Sequence, residues 1–187
     1  MSVVTAKKLL TAEEYAKLPD PIDGSKQELV RGEVVTVMAA PSFKHGVVQL
    51  NVGMALKMFA RANNLGRVTV ESGLITEEDP DTVRGPDVAF WSFERLPADQ
   101  TPDVYAGVAA DLCVEVKSPS NTPAKTTKKI AEYFACGVRM VWIADPDERT
   151  VTVYTKPGDG RVLWDDATIT GEGVLPGFTC PVSEFFS

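Results

Sequence analysis

The sequence has little of what most readily marks a function. A single histidine, His45, stands among 187 residues, and the three cysteines, Cys113, Cys136 and Cys180, are widely spaced and free of any C-x-x-C pair. That pattern suggests neither a disulfide framework nor a zinc site, so the cysteines read as small buried hydrophobes. No run approaches the roughly 18 uninterrupted apolar residues of a membrane span. The N-terminal MSVVTAKKLLTAEEY carries acids where a signal peptide has its apolar core, so a cytoplasmic protein without a membrane partner is expected. Walker A, G-x-G-x-x-G, G-x-S-x-G and H-E-x-x-H patterns are missing, which sets aside several enzyme classes. Positive charge is short as well: 19 Lys and Arg against 26 Asp and Glu give a formal net charge of -7. This disfavours a non-specific nucleic-acid binder held by many phosphate contacts, but leaves room for a local basic cluster at Lys125, Lys128 and Lys129, with Lys117 upstream.

What is present is an ordinary globular composition, 44% hydrophobic, long enough to bury one core. Pro and Gly punctuate short elements with no internal repeat, so a single domain spanning 1–187 is expected. Thr11-Ala12-Glu13-Glu14 is a capping box for a first helix that stops before Pro19. ELV and EVVTVM flank Arg31-Gly32 and predict a β-hairpin opened by Glu28. From His45 to Asn63, Val47, Val48, Leu50, Met54, Leu56, Met58 and Phe59 predict a long buried helix, with the Met54 and Met58 stripe in the core. RVTVESGLIT (67–76) alternates as one strand, a polar loop follows, and GPDVAFW (85–91) makes a short apolar strand.

DLCVEVK (111–117) reads as the next strand. Asn121 or Thr122 then caps a helix that begins at Pro123 and runs through Ile130, Tyr133 and Phe134 to Gly137, and VRMVWIAD returns as a strand. A strand, helix and strand within about 35 residues form a βαβ crossover, which places 111–117 and 138–144 side by side and parallel. TVTVYTKPGDGRVLW reads as a C-terminal hairpin. The expectation is an α/β domain: a mixed β-sheet core flanked by helices, with N-terminal and C-terminal β-hairpins.

One constellation could carry chemistry. Alternation puts Cys113, Glu115 and Lys117 on one face of their strand and Leu112, Val114 and Val116 on the other. Glu115 and Lys117 could be no more than a solvated ion pair contributing under ~1 kcal/mol. Asp87, however, follows Pro86 into an apolar strand, where an unpaired carboxylate is costly unless it meets a cation. Two carboxylates on neighbouring strands can hold Mg²⁺ through hard oxygen ligands, and a lysine beside them can orient or deprotonate water and offset charge at phosphorus. That is the set required for metal-assisted phosphodiester cleavage.

The succession GPDVAFW, DLCVEVKSPSN and KKIAEYFACGVRMVWIADP, with KLPDPIDGSKQELVRGEVV upstream, resembles the Uma2 family of restriction-type endonucleases, within the PD-(D/E)xK nuclease superfamily. The likeness covers most of the chain and rests on the order and spacing of individually loose motifs. It implies a restriction endonuclease-like core and a Mg²⁺-dependent endonuclease acting on DNA, with Mn²⁺ as a possible substitute. Asp87 and Glu115 match the family's metal-binding acids, and Val116 between Glu115 and Lys117 joins that set. Glu28 matches the acid of its Glu-Leu-x-x-Gly-Glu hairpin, where it could bind the metal or a metal-bound water, or be an exposed strand glutamate. Lys117 matches the superfamily's catalytic lysine. Many family members lack it and a lysine on the following helix is thought to substitute; Lys129 matches that one. This sequence has both, and Lys117 is favoured because it lies beside Glu115. His45 resembles a frequent family position, read here as a helix-capping or surface residue in preference to a proton-transfer group, and Glu71 is read as solvent-facing. Cleavage of both strands by one site per chain would suit a homodimer. A second reading keeps the nuclease fold without catalysis, as a nucleic-acid-binding or protein-interaction module; a third is a plain structural domain in which Asp87 lies far from Glu115.

Overall fold

The structure is a computed structural model and describes residues 8–38, 41–118 and 122–187. It begins with α1 (Ala12–Tyr15), closed by the expected capping box: the Thr11 hydroxyl accepts from the Glu14 amide while the Glu14 carboxylate accepts from the Thr11 amide. Strands β1 (Lys26–Val30) and β2 (Glu33–Met38) form the predicted antiparallel hairpin. Its two turn residues, Arg31 at φ 50° and Gly32 at φ 77°, both adopt the left-handed conformation that a tight two-residue turn demands. The pairing slips between Lys26 and Gln27, which oppose Met38 and Thr36, so Val37 is the extra residue of a bulge.

Helix α2 (Phe43–Ala62) follows, capped by Ser42. Its buried face is Val48, Val52, Leu56 and Ala60, at strict four-residue spacing, together with His45 and Gly53. The expected core role of Met54 and Met58 is therefore corrected. They lie with Leu50 on the opposite face, Met54 half exposed and Met58 at 68%. An apolar stripe on this helix could face either way, and the sheet takes the β-branched one.

The segment read as one strand over 67–76 is two. Strand β3 (Gly66–Val70) and strand β4 (Leu74–Glu77) belong to different sheets and are separated by a turn. Glu71 turns the chain there at φ 52°, and a Cβ on Gly73 would fall 2.4 Å from the Tyr105 ring, so glycine permits the close approach that follows. The polar loop beyond it holds a further short strand, β5 (Thr82–Arg84), which joins the hairpin and β4 in a four-stranded sheet of order β2-β1-β5-β4.

The main sheet has six strands. Besides β3 it contains β6 (Val88–Ser92), β7 (Leu112–Val116), β8 (Met140–Asp145), β9 (Thr150–Tyr154) and β10 (Gly160–Leu163), in the order β10-β9-β8-β7-β6-β3. The predicted crossover is present: β7 pairs in parallel with β8, Val116 opposite Ala144, and α3 (Pro123–Ala135) connects them. Thr122 caps α3 by accepting from the Lys125 amide; Asn121, the other candidate cap, lies outside the described residues. All other pairings in this sheet are antiparallel, so the sheet is mixed. The C-terminal hairpin β9–β10 extends it as an edge instead of standing apart. Two further strands, β11 (Thr168–Thr170) and β12 (Thr179–Pro181), form a small sheet, and a short 3₁₀ turn, Val182–Phe186, packs against α2. Thr168–Thr170 and Thr179–Pro181 are too short for periodicity to register.

Alternation along β7 divides the core. Leu112, Val114 and Val116 pack with α2, Trp142 and Phe185; Cys113 packs on the other face with Ala89, Val141 and the α3 residues Ile130 and Tyr133. Cys113 and Cys180 are buried as expected and Cys136 is half-buried. Glu115 therefore emerges beneath α3, at the end of a central strand. Among the described residues no helix is long and apolar enough to cross a membrane.

Candidate active site

The β1–β2 hairpin, the end of β7 and the first turns of α3 enclose a cavity of about 210 Å³. Five of its polar lining residues are almost wholly buried: Glu28, His45, Arg84, Asp87 and Glu115. Burying so many charged groups is tolerable only where they find partners, and the four charged ones are specifically paired, while both ring nitrogens of His45 lack a hydrogen-bond partner among the described residues.

Asp87 precedes β6 and is 2% exposed. Its Oδ2 accepts from the main-chain N–H of Val116 at 2.7 Å, and its Oδ1 accepts from the Lys26 ammonium at 2.7 Å. Burial alone would favour the protonated acid. The nearby His45 ring, the Lys26 ammonium and the Val116 amide outweigh it and hold Asp87 down to about 2. His45 Nε2 lies 3.6 Å from Oδ1, beyond a good hydrogen bond, so the imidazole works by proximity and the two short contacts carry the effect.

Glu115 is bridged by one cation. The Lys129 ammonium lies 3.1 and 3.0 Å from its two oxygens and 2.9 Å from Oε1 of Glu28. The buried Tyr133 hydroxyl donates to Glu115 at 2.5 Å. Burial raises Glu115 above the usual carboxylate range, Lys129 opposes that, and the negative charge of Asp87 adds to it, so the two acids share one field. On Lys129, burial works against the charge, but Glu115 and Glu28 more than restore it and the amine is held well up as an ammonium. Glu28 is likewise lowered: burial opposes its ionisation, and Lys129 and Arg84 overcome it. Arg84 reaches Glu28 Oε2 at 2.7 Å and Glu132 at 2.7 Å, tying β1, β5 and α3 together.

The residues expected from sequence thus divide. Asp87, Glu115, Glu28 and Lys129 meet in this cavity, and the main chain of Val116 closes on Asp87. Glu28 is 1% exposed, so the exposed-glutamate reading of it is corrected: Glu28 lies on the inward face of β1 and takes Lys129 and Arg84 as partners. Lys117 also borders the cavity, but its ammonium lies 2.7 Å from Asp145, at the end of the neighbouring strand, and its side chain is about half exposed. Register explains this: Val116 faces Ala144, so Lys117 comes opposite Asp145, while Glu115 is already occupied by Lys129 and Tyr133. The capping or surface role expected for His45 is corrected too. Its main-chain N–H donates to the Ser42 hydroxyl, but its ring is 2% exposed and turns toward Asp87. Glu71 is exposed as expected and accepts from Gln49.

Lys26, Arg84 and Tyr133 were not singled out in the sequence. Lys26 had a signal, since Lys-x-Glu at 26–28 places both side chains on one strand face. Arg84 sits in a segment read as loop, and Tyr133 follows the apolar periodicity of α3, so neither stood out. In chemical terms, Asp87 and Glu115 offer hard oxygen donors in one cavity. Among the described residues no group of three metal-ligating side chains forms. An ion there would rest on these two carboxylates, a main-chain oxygen and water, a sparse donor set that fits Mg²⁺.

The sequence profile of the Uma2 family, described as "Putative restriction endonuclease", matches residues 12–183. No curated protein matches the chain. Among solved structures, the chain is similar to a crystal structure described as a putative nuclease from Anabaena variabilis ATCC 29413, with TM-score 0.79 and 23% identity, covering 95% of this chain and 97% of that one. At that identity the likeness speaks for a shared fold.

Proposed function

The chain belongs to the Uma2 family, and from that membership and the charges in the cavity we propose that it is a metal-dependent endonuclease hydrolysing DNA phosphodiester bonds. The observation that carries this reading is the convergence of Asp87 and Glu115, from adjacent strands, on one cavity with Lys129 bonded to the second acid. Asp87 and Glu115 would hold Mg²⁺, or Mn²⁺ in its place, with the Val116 carbonyl as a main-chain donor. The ion when bound would supply Lewis-acid polarisation of the phosphate and lower the pKa of the attacking water.

The protein's own groups have distinct tasks. Lys129 is kept charged by two carboxylates, so it serves to offset negative charge building on the phosphate oxygens and not as the proton acceptor. Both oxygens of Glu28 are engaged by Lys129, Arg84 and the Gly85 amide, so Glu28 orients Lys129. Tyr133 fixes the Glu115 carboxylate in the same way. Lys117, Lys125 and Lys128 at the rim suit the flanking phosphates of the strand, which lets an acidic protein bind DNA locally. A homodimer would bring two such sites to the two strands of a duplex.

The complete internal pairing of the acids by Lys26, Lys129 and Arg84 favours one other reading, a nuclease-fold module that binds nucleic acid or protein without turnover. Incubation of supercoiled plasmid with the protein and Mg²⁺ or Mn²⁺ separates the two. The expected result is nicked or linear product, lost in Asp87→Ala and Glu115→Ala. No cleavage across DNA and RNA substrates and both metals, or undiminished cleavage by the two variants, rejects the endonuclease; DNA binding without turnover supports the module.

A further inference from the structure

Lys26 holds one of the two Asp87 oxygens that would serve a metal ion. Its ammonium contacts Asp87 Oδ1 at 2.7 Å, while Oδ2 is bound to a main-chain amide that cannot move without unpairing the end of β7. A cation that takes Oδ1 of Asp87 competes with Lys26 for it. The three acids Glu28, Asp87 and Glu115 are already paired with Lys26, Arg84 and Lys129, Arg84 being shared with Glu132. A divalent ion added to that set places like charges within one buried cavity, where repulsion is poorly screened.

The two lysines are held differently. Lys129 is fixed by three carboxylate oxygens on two residues, whereas Lys26, the first residue of β1, has one carboxylate oxygen within hydrogen-bond distance among the described residues. It lies at a bulge, the strand irregularity that re-aims side chains beside functional sites. Its stem passes over Gly85, where even an added Cβ would lie at ordinary contact distance, 3.5 Å, from Lys26 Cε. Burial disfavours its charge, but Asp87 and Glu115 keep it raised, so it remains a cation at neutral pH.

Resting on the metal-site reading above, we infer that Lys26 is a displaceable counter-cation that satisfies Asp87 in the ion-free protein and leaves it when a divalent cation binds, thereby setting the affinity of the site. It is a positioning residue, and its effect is read on metal binding without any nucleic acid.

Calorimetric titration of the full chain with Mn²⁺ alone tests this. Lys26→Met is expected to bind Mn²⁺ about tenfold more tightly, the equivalent of removing one charge-assisted contact from competition. Lys26→Arg is expected to stay near the wild-type affinity. Asp87→Asn is expected to abolish binding in both backgrounds. Asp87-dependent binding that Lys26→Met leaves unchanged or weakens overturns the inference while sparing the metal site. Absence of Asp87-dependent binding in both wild type and Lys26→Met overturns the metal site and the inference with it. Should Lys26→Met fail to fold, NMR of the lysine ε-methylene groups in wild-type protein decides. Addition of Mg²⁺ is expected to shift the Lys26 signal, and an unmoved signal under Asp87-dependent Mg²⁺ binding overturns the inference.

Discussion

A carboxylate is buried at each end of β7, and the two ends are built differently. Asp111, just before the strand, is fully buried; it accepts from the Ser92 amide at 2.7 Å and lies 3.1 and 3.2 Å from Arg95 and Arg139. Arg95 also donates to the carbonyls of Ala109, Ala110 and Gly137, so it ties two chain segments together beside one acid. Glu115, four residues on, is held by a lysine and a tyrosine and borders a cavity. Burial of an acid is common to both ends. The difference lies in the partners: two arginines and a main-chain amide fill Asp111, and Arg95 is itself anchored on carbonyls, whereas Glu115 takes a tyrosine and a lysine shared with Glu28 and opens on a cavity. A buried acid marks a stitch or a site according to what is paired with it.

The sharpest way to break this contrast is to remove Lys129. Lys129→Met leaves Glu115 with only Tyr133 and removes one of two cations from Glu28, and is expected to cost about 3 kcal/mol in urea unfolding at neutral pH. Without the lysine Glu115 rises further, so the folded state binds protons more tightly and the loss should shrink as the pH is lowered toward 5. A loss independent of pH would mean that the methylene stem, not the charge, stabilises the site.

At the other end, Asp111→Asn is expected to cost roughly 2 kcal/mol, because an amide keeps one acceptor for the Ser92 N–H but no longer neutralises the arginines. It should leave plasmid cleavage unchanged in folded protein; a fall in cleavage would join the two ends functionally. A third effect concerns acid. Asp87 is held at about 2 in the folded protein against an ordinary 3.8, so it contributes stability above about pH 4 that is lost as the pH falls toward 2. The amount is roughly 2 kcal/mol. In Asp87→Asn that portion of the acid limb should be missing from thermal melts taken between pH 2 and 5. The smallest change expected is in Lys117→Ala. Its half-exposed pair with Asp145 is worth under ~1 kcal/mol, so Tm should barely move. If the rim assignment of Lys117 is right, DNA affinity falls and its salt dependence becomes shallower, whereas a far larger loss of cleavage than of binding would return the catalytic role to this lysine.

Much of the fold was legible. The capping box at Thr11, the hairpin around Arg31-Gly32 and the parallel crossover after Lys117 each depend on neighbours within a few residues, or on one periodicity carried through a whole element. The break in 67–76 was not, because the alternation continues across it and the two halves pair with different sheets, β3 with β6 and β4 with β5. The exposed Met54 and Met58 escaped for a similar reason: α2 carries two apolar stripes, and the sheet decides which one it covers.

The sequence by itself determined which residue types the site could use. A carboxylate placed before β6 and another inside β7 had to meet cations somewhere, because burying them alone costs too much. Which cations they met was settled by the tertiary structure. Lys117 is two positions from Glu115 and Lys129 is fourteen, yet strand register gives Lys117 to Asp145 while the packing of α3 across β7 brings Lys129 between Glu115 and Glu28. Nearness along a strand fixes only the face on which a side chain starts. A long, flexible lysine ends where the unpaired charge lies, and that is decided by which elements pack together.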